Sequence, residues 1–166
     1  MPKKTYQYYQ PNRKDLKDKV GDCQVRALSK VLGLTWLQTF DLTIPICREL
    51  QTYTIFDCDL NKTKTAMSKF GFVYTGVSNK KGSKRPTVKS FALSHPKGKY
   101  ILSVAHHAVA VIDGVYYDTW DCGYKSLYGW YELDETKSRE CIEEYTRQYN
   151  ITLEKEEKDE ENEDDE

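Results

Sequence analysis

The order of apolar and polar residues divides the chain into a helical part followed by a strand-rich part. Val25, Leu28 and Leu32 recur at the spacing of one helix face, and Gly33 follows where a C-terminal cap is expected. This pattern predicts a first helix from about Asp22 to Leu32.

Further helical signals continue up to the middle of the chain. Thr35 and Gln38 have the spacing of a capping box, so a second helix is predicted to begin there, and Pro45 is expected to end or bend it. A weaker helical pattern covers residues 61–70, and a short helix with a threonine cap is predicted over 87–93. The first half of the chain is therefore predicted to be mainly helical.

Alternation of apolar and polar residues predicts strands in the second half of the chain. The predicted strands cover 72–75, 100–104, 107–112, 115–119 and 130–133. Asp113-Gly114 joins two of them, and Asp-Gly between alternating apolar runs is a strong hairpin signal. A final helix is predicted over 134–149. The expected fold is α+β, with N-terminal helices packed on a C-terminal antiparallel sheet.

Charge and composition divide the chain into three segments. Residues 1–20 are polar, basic and rich in tyrosine and are predicted to form an arm or loop, while 21–150 form the folded domain and 151–166 a disordered acidic tail. Residues 154–166 contain ten acids and two lysines, a net charge of −8, whereas 1–153 contain 23 basic and 16 acidic residues, a net charge of +7. The basic body favours an acidic or extended partner, although net charge does not define specificity.

The sequence also predicts a cellular environment. No segment is apolar over the length of a membrane span, and the N-terminus has no apolar signal region, so we expect a cytoplasmic protein without a membrane partner. Its five cysteines are then expected to be reduced. An odd cysteine count without a CxxC pair supports neither a disulfide framework nor a zinc ribbon, and we expect no metal and no cofactor.

Cys23 is predicted to lie at the first position of the first helix. The unpaired N–H groups and the partial positive charge of a helix N-terminus favour a thiolate there, and the same N–H groups can bind an oxyanion. Asp22 is the predicted side-chain cap; its charge opposes the thiolate unless the side chain is engaged. Taken alone, Cys23 is more simply interpreted as a small buried apolar residue.

The predicted hairpin places a histidine and a carboxylate on one face of the sheet. With the two-residue turn, Val109 pairs with Asp118, so His107 and Asp118 form a diagonal cross-strand pair within hydrogen-bonding reach. His106 points to the opposite face, which disfavours a shared metal. Asp121 is the second candidate for the acid that orients His107. The alternative is a buried His–Asp pair with only a structural role.

Two motifs resemble those of papain-like cysteine peptidases. They are Gly-Asp-Cys-x-Val-Arg-Ala at 21–27 and His-His-x-x-Ala-Val-Ile-Asp-Gly-x-x-Tyr-Asp-Thr-Trp-Asp at 106–121. The chain looks like small papain-like proteins of bacteria and phages, which are similar to the double-glycine-leader peptidase group; the likeness spans about residues 20–133. It implies a papain-like fold, a peptide or protein substrate and, if phage-encoded, action in the host cytoplasm. The roles it implies are nucleophile for Cys23, base for His107 and orienting acid for Asp118.

The resemblance leaves the oxyanion donor unassigned. Papain-like enzymes usually have a glutamine several residues before the cysteine, but this chain has Lys17 six positions upstream. The candidate amides are Gln10, Asn12 and Gln24. Trp120, in the aromatic cluster after the hairpin, is a candidate for lining a substrate cleft.

Two functions are carried forward from the sequence. The first is a thiol hydrolase that cleaves a peptide or isopeptide bond through a thioester. The second is a catalytically weak or inactive papain-like scaffold that binds nucleic acid or a host protein through its basic loops and its acidic tail. Nucleic acid could contact the basic loop at 78–85 and stack on the N-terminal tyrosines, although neither is a recognisable motif. The intact Cys, His and Asp favour the hydrolase, and the missing upstream glutamine favours the binding module.

Overall fold

The computed structural model describes residues 3–13, 15–16, 20–56 and 59–153. These residues form five helices and six strands. In chain order they are β1 (Tyr6–Tyr8), α1 (Cys23–Leu32), α2 (Trp36–Leu50), α3 (Leu60–Ser68), β2 (Phe72–Gly76), α4 (Val88–Ser94), β3 (Lys99–Val104), β4 (His107–Ile112), β5 (Val115–Asp118), β6 (Gly129–Leu133) and α5 (Glu135–Gln148). Lys17, Cys58 and the acidic residues 154–166, about which the sequence made predictions, lie outside the described residues.

The strands form one open sheet in the order β1-β5-β4-β3-β6-β2. β1 runs parallel to β5, and the other neighbouring strands are antiparallel. One hydrophobic cluster joins one face of the sheet to α1, α2, α3 and α5, and a second joins the other face to α4. The mixed α+β layout predicted from the sequence is confirmed.

Packing of α1 against β4 brings the first helix to the centre of the sheet. The side of β4 in this cluster carries Ala108 and Ala110, and α1 contributes Leu28 and Val31. Short alanine side chains allow the helix to approach the sheet closely. Leu28 is fully buried, which stabilises the fold by about 1.5–3 kcal/mol.

The hairpin between β4 and β5 has the predicted register. Val111 pairs with Tyr116 and Ile112 with Val115. Asp113 and Gly114 have φ angles of 48° and 81°. Positive φ at both turn residues is the backbone of a type I′ turn, whose twist matches that of the flanking strands.

The N-terminal segment differs from the predicted arm, because it supplies the edge strand β1. Tyr6 pairs with Tyr116 and Tyr8 with Asp118 in the parallel ladder. The backbone N–H of Tyr9 donates to the carbonyl of Asp118 at 2.9 Å. A strand of three residues has too short an alternation to be recognised without its partner.

Pro45 does not end the second helix, which continues to Leu50. Proline leaves the carbonyl of Asp41, four residues earlier, without a helical N–H donor. Asp41 is exposed, so water can reach this part of the helix. The helix continues through Pro45, whose own side chain is buried, at the cost of this one internal hydrogen bond.

Two further expectations concern the whole chain. The described cysteines, Cys23, Cys47, Cys122 and Cys141, are free thiols, as expected. Within the described ranges, no helix has the length and apolar character that crossing a membrane requires.

Candidate functional site

Cys23 is the first residue of α1 and is partly buried beside the start of β4. Burial raises the pKa of its thiol, but the hydrogen bond and charge of His107 oppose this, as do the backbone N–H of Ala108 and the charge of Arg26, so that its pKa is lowered overall. The Cys23 Sγ also lies 3.5 Å from Oε1 of Gln24. The predicted position at the start of α1 is observed, and the groups that lower the pKa of the thiol are His107, Ala108 and Arg26.

His107 and Asp118 are joined as the hairpin register predicts. Nε2 of His107 hydrogen-bonds Oδ2 of Asp118, and both side chains are largely buried. Burial disfavours the imidazolium, but hydrogen bonds with Asp118, Cys122 and Cys23 raise the pKa of His107 overall. Burial likewise opposes ionisation of Asp118, yet its hydrogen bond and charge interaction with His107 lower its pKa. The three groups therefore favour a thiolate, an imidazolium and a carboxylate side by side.

Both oxygens of the Asp118 carboxylate have partners. Oδ2 interacts with His107 Nε2 and with the Cys122 thiol at 3.2 Å, and Oδ1 with the Thr119 backbone N–H at 2.7 Å and the Arg26 guanidinium at 3.5 Å. Asp118 is only 3% exposed, and a buried carboxylate is costly unless it is paired and hydrogen-bonded. Its orientation toward His107 is thus determined by surrounding donors.

Asp22 does not cap α1 with its side chain, contrary to the sequence prediction. Its carboxylate is buried and turns instead toward three other donors. Oδ1 accepts from Arg26, and Oδ2 accepts from Asn12 Nδ2 at 3.0 Å and Trp36 Nε1 at 2.8 Å. These donors satisfy the carboxylate, so the first-turn N–H groups of α1 are left without a cap from Asp22.

The three candidate amides have different environments. Asn12 donates to Asp22, and Gln24 donates its amide to Thr54 Oγ1 at 3.0 Å. Gln10 accepts from the Asn12 backbone through Oε1, but its Nε2 is buried without a hydrogen-bond partner among the described residues. An unpaired buried donor is rare, so Gln10 Nε2 stands out among the three.

The two candidates that follow β5, Trp120 for the substrate cleft and Asp121 for the orienting acid, have different neighbours. The Trp120 ring centroid is 5.5 Å from that of His107, and the side chain is 39% exposed. Asp121 accepts from the Tyr116 hydroxyl and from the Gly123 N–H at 3.1 Å. Trp120 therefore borders the imidazole, and its role in a substrate cleft stays a prediction. Asp118 rather than Asp121 contacts His107.

Two residues of the site were not singled out from the sequence. Arg26 lies one helical turn after Asp22, an i,i+4 spacing typical of an ion pair, and this signal was available. Cys122 is the other residue, and its thiol contacts Asp118 because the chain turns back after β5. No local pattern predicts such a return.

One group of side chains has donor types that a metal ion accepts. His107, Asp118 and Cys122 place one ligand atom each within 4.8 Å of one another, the only such group in the described part of the chain. Two of these atoms already hydrogen-bond the Asp118 carboxylate. The arrangement is accounted for by these hydrogen bonds without a metal.

No family model matches the sequence, and neither the curated proteins nor the solved structures include a match to it.

Proposed function

We propose that the protein is a cysteine hydrolase with a papain-like arrangement, in which Cys23, His107 and Asp118 cleave a peptide or isopeptide bond. The observation that carries the proposal is the Cys23 thiol beside the imidazole that hydrogen-bonds the buried Asp118 carboxylate. A nucleophile, a base in contact with it and a group that orients the base are the parts that nucleophilic catalysis requires. The helix N-terminus at Cys23 adds a favourable field for the thiolate.

The reaction follows from the two nitrogens of His107. Nε2 is held by Asp118, which leaves Nδ1 to exchange a proton with the thiol. The Cys23 sulfur attacks the carbonyl carbon, and His107 gives its proton to the leaving amine as the C–N bond breaks and a thioester remains. Water then loses a proton to His107 and attacks the thioester. The acid product leaves the sulfur, and the thiolate–imidazolium pair is restored with the proton on His107.

Charge that develops on the carbonyl oxygen needs hydrogen-bond donors. Two sources of donors support this step. The first-turn N–H groups of α1 are not capped by Asp22. Gln10 has a buried side-chain N–H without a partner among the described residues, and for this reason we propose it, of the three candidate amides, as the second donor.

The surroundings of His107 favour an extended substrate. Trp120 and the exposed Tyr124 form an aromatic border, with ring centroids 6.2 Å apart and the Lys125 ammonium 5.8 Å from the Trp120 ring. Such a border offers apolar contact and one positive charge beside the reacting bond. A peptide or protein segment with an apolar or acidic side chain fits this chemistry best.

A binding module is the second candidate, and the exposed basic loop at 78–84 favours it. Stacking of nucleic-acid bases on the N-terminal tyrosines is less favoured, since two of them have structural contacts. Tyr6 packs against Tyr116, and the Tyr9 hydroxyl hydrogen-bonds Ser29 at 2.7 Å. The loop remains the surface on which this alternative depends.

The decisive experiment is the rate of iodoacetamide labelling of Cys23 between about pH 4 and pH 9, read by peptide mass spectrometry. Cys47, whose pKa is raised by burial, serves as an internal reference in the same sample. We expect Cys23 to label well below the ordinary thiol range. In His107→Ala its rate near pH 6 should fall about a hundredfold, the scale of a lost acid–base partner.

The opposite outcome is equally informative. If Cys23 labels no faster than Cys47, or if His107→Ala leaves its pH profile unchanged, the hydrolase is excluded and the binding module takes its place. A positive result would be followed by trapping the thioester on Cys23 with a peptide library. The Cys23→Ala variant controls for label at other thiols.

A further inference from the structure

We propose that Arg26 is a positioning residue that connects the carboxylate beside the nucleophile with the carboxylate that orients the base. The inference rests on the proposed hydrolase, because it assigns a role within that site. Its basis is a single guanidinium that contacts Asp22 and Asp118 at the same time.

The Arg26 guanidinium lies between two buried carboxylates. Its NH1 donates to Asp22 Oδ1, and its NH2 lies 3.5 Å from Asp118 Oδ1. The Arg26 side chain is 12% exposed, and those of Asp22 and Asp118 are 4% and 2% exposed. A planar fork with several N–H donors can engage two carboxylates in fixed directions, which an ammonium group cannot do.

Asp22 is itself held in place by further donors. Its Oδ2 accepts from Asn12 and Trp36, so the carboxylate is held from the N-terminal segment and from α2 as well as from α1. This fixed carboxylate in turn fixes Arg26. The guanidinium therefore reaches Asp118, 92 residues away in sequence, from a defined position.

The chemical consequence concerns charge next to Cys23. Asp22 is the residue immediately before Cys23, and an unbalanced carboxylate there would disfavour the thiolate. Arg26 balances that charge. It also occupies Oδ1 of Asp118, so that Oδ2 remains directed at His107. Both effects stabilise the thiolate–imidazolium pair.

A merely structural ion pair would predict a different pattern. An i,i+4 pair within α1 requires only Asp22 and Arg26, and apolar residues often replace buried pairs without loss of stability. Such a pair does not require a contact with Asp118 on β5. A purely structural pair is neutral overall, so removing both of its charges should leave the pH profile of Cys23 unchanged, whereas loss of the contact with Asp118 should raise its midpoint.

The test compares iodoacetamide profiles of Cys23 in wild type, Arg26→Lys and Arg26→Ala, with Arg139→Ala as the matched control. Arg139 is an exposed arginine on α5, away from the site. We expect the midpoint of Cys23 labelling to rise by about one pH unit in Arg26→Ala, a roughly tenfold loss of rate on the acidic limb. Arg26→Lys should lie between this variant and wild type, and Arg139→Ala should match wild type.

A second variant keeps the test valid if Arg26→Ala does not fold. The double variant Asp22→Asn with Arg26→Gln replaces the ion pair by two neutral hydrogen-bonding groups of similar size. We expect this protein to retain a cooperative thermal transition and still to show a raised midpoint, since Asp118 has lost its cation. A wild-type midpoint in every folded Arg26 variant would overturn the inference. If wild type itself lacks low-pH reactivity, it is the proposed function that fails.

Discussion

The hairpin at 107–118 and the N-terminal segment at 5–12 both contact the candidate site, but they are encoded differently. The hairpin carries His107 and Asp118, and its turn residues and alternation lie in one short stretch. The N-terminal segment carries Gln10 and Asn12; Asn12 contacts Asp22 just before α1, whereas the partner strand β5 follows about 110 residues later. The placement of His107 beside Asp118 was therefore predictable, whereas the contacts of the segment depended on the folded structure.

The two regions also have different tasks. The hairpin holds the proposed base and its orienting acid. The N-terminal segment holds the surroundings: Thr5 accepts from the Tyr116 N–H at 2.8 Å, and Asn12 satisfies Asp22 beside the nucleophile. We infer that changes in the hairpin act on reactivity and stability together. Changes in the segment should act on oxyanion binding or on stability separately.

The largest effect is expected for Asp118→Asn, which removes the buried charge on the hairpin. His107 and Arg26 then lose a carboxylate, and breaking a buried pair in this way costs about 3 kcal/mol. The variant should unfold at lower urea concentration than wild type. Asp121→Asn is the matched control, because Asp121 is exposed and contacts neither His107 nor Arg26; its effect should stay below about 1 kcal/mol.

The pH dependence of this difference has a defined sign. The folded pKa of Asp118 lies below its ordinary value of 3.8, so its contribution is present above that value and is lost as the pH falls through the folded pKa. The folded pKa of His107 lies above its ordinary value of 6.5, so its contribution is present below 6.5 and is lost as the pH rises through the folded pKa. The urea difference should therefore be largest between these two ordinary values. A constant difference from acid to alkaline pH would contradict the ion pair.

The next effect concerns Gln10→Ala in the N-terminal segment. A peptide aldehyde, acetyl-Leu-Leu-norleucinal, forms a tetrahedral adduct with an active thiol and places an oxyanion at the donors, whereas iodoacetamide does not. Gln10→Ala should weaken aldehyde protection of Cys23 about tenfold or more, while the iodoacetamide rate changes far less. Gln7→Ala, an exposed glutamine of β1, is the control. Equal protection in both variants would remove Gln10 from the oxyanion site.

Features that depend on neighbouring residues could be predicted from the sequence, whereas contacts between distant segments could not. Spacing and turn chemistry predict the hairpin register and the caps at Thr35 and Thr87, and the structure contains both. They also predict that His107 and Asp118 face each other across the hairpin, as the structure shows. The parallel pairing of β1 and the approach of Cys122 do not, because each depends on where a distant segment comes to lie. Local periodicity contains no information on such contacts.

Asp22 is the case in which a local rule competed with tertiary contacts. An acid before a helix is a favourable cap, yet here the side chain has donors from Asn12, Arg26 and Trp36. Three donors, one of them a cation, outweigh one backbone N–H in a buried position. The prediction of a cap was wrong for this reason, and the same contacts made Arg26 part of the site.

A smaller effect is expected for Asn12→Ala, which tests the hold of the segment on Asp22. Removal of the amide leaves Oδ2 of a buried carboxylate with one donor fewer, at a cost of about 1–3 kcal/mol. The free energy of unfolding from urea titration measures it. Asn79→Ala, in the exposed basic loop, is the control and should be neutral. Equal stability of the two variants would show that Asp22 does not depend on the N-terminal segment.

The smallest loss of stability is expected for Gly114→Ala, in the turn that sets the register of the hairpin. Gly114 has a φ of 81°, and a Cβ there would lie 3.2 Å from the carbonyl oxygen of Ala92. Gly114→Ala should therefore cost about 1–2 kcal/mol from the left-handed backbone, with a further contribution from the contact with α4. Gly82→Ala is the matched control, because Gly82 has a φ of 87° and a Cβ there meets nothing within 4 Å.

Both glycine variants place an alanine in the left-handed backbone conformation. The difference between their free energies of unfolding therefore measures the contact of residue 114 with α4. If Gly114→Ala also slows iodoacetamide labelling of Cys23 at acidic pH while Gly82→Ala does not, the turn controls the alignment of His107 with Asp118. If both variants keep the wild-type labelling profile, the pair is held by Arg26, Thr119 and Cys122 even when the turn is strained. That result would move the origin of the alignment from the local hairpin signal to the tertiary contacts around Asp118.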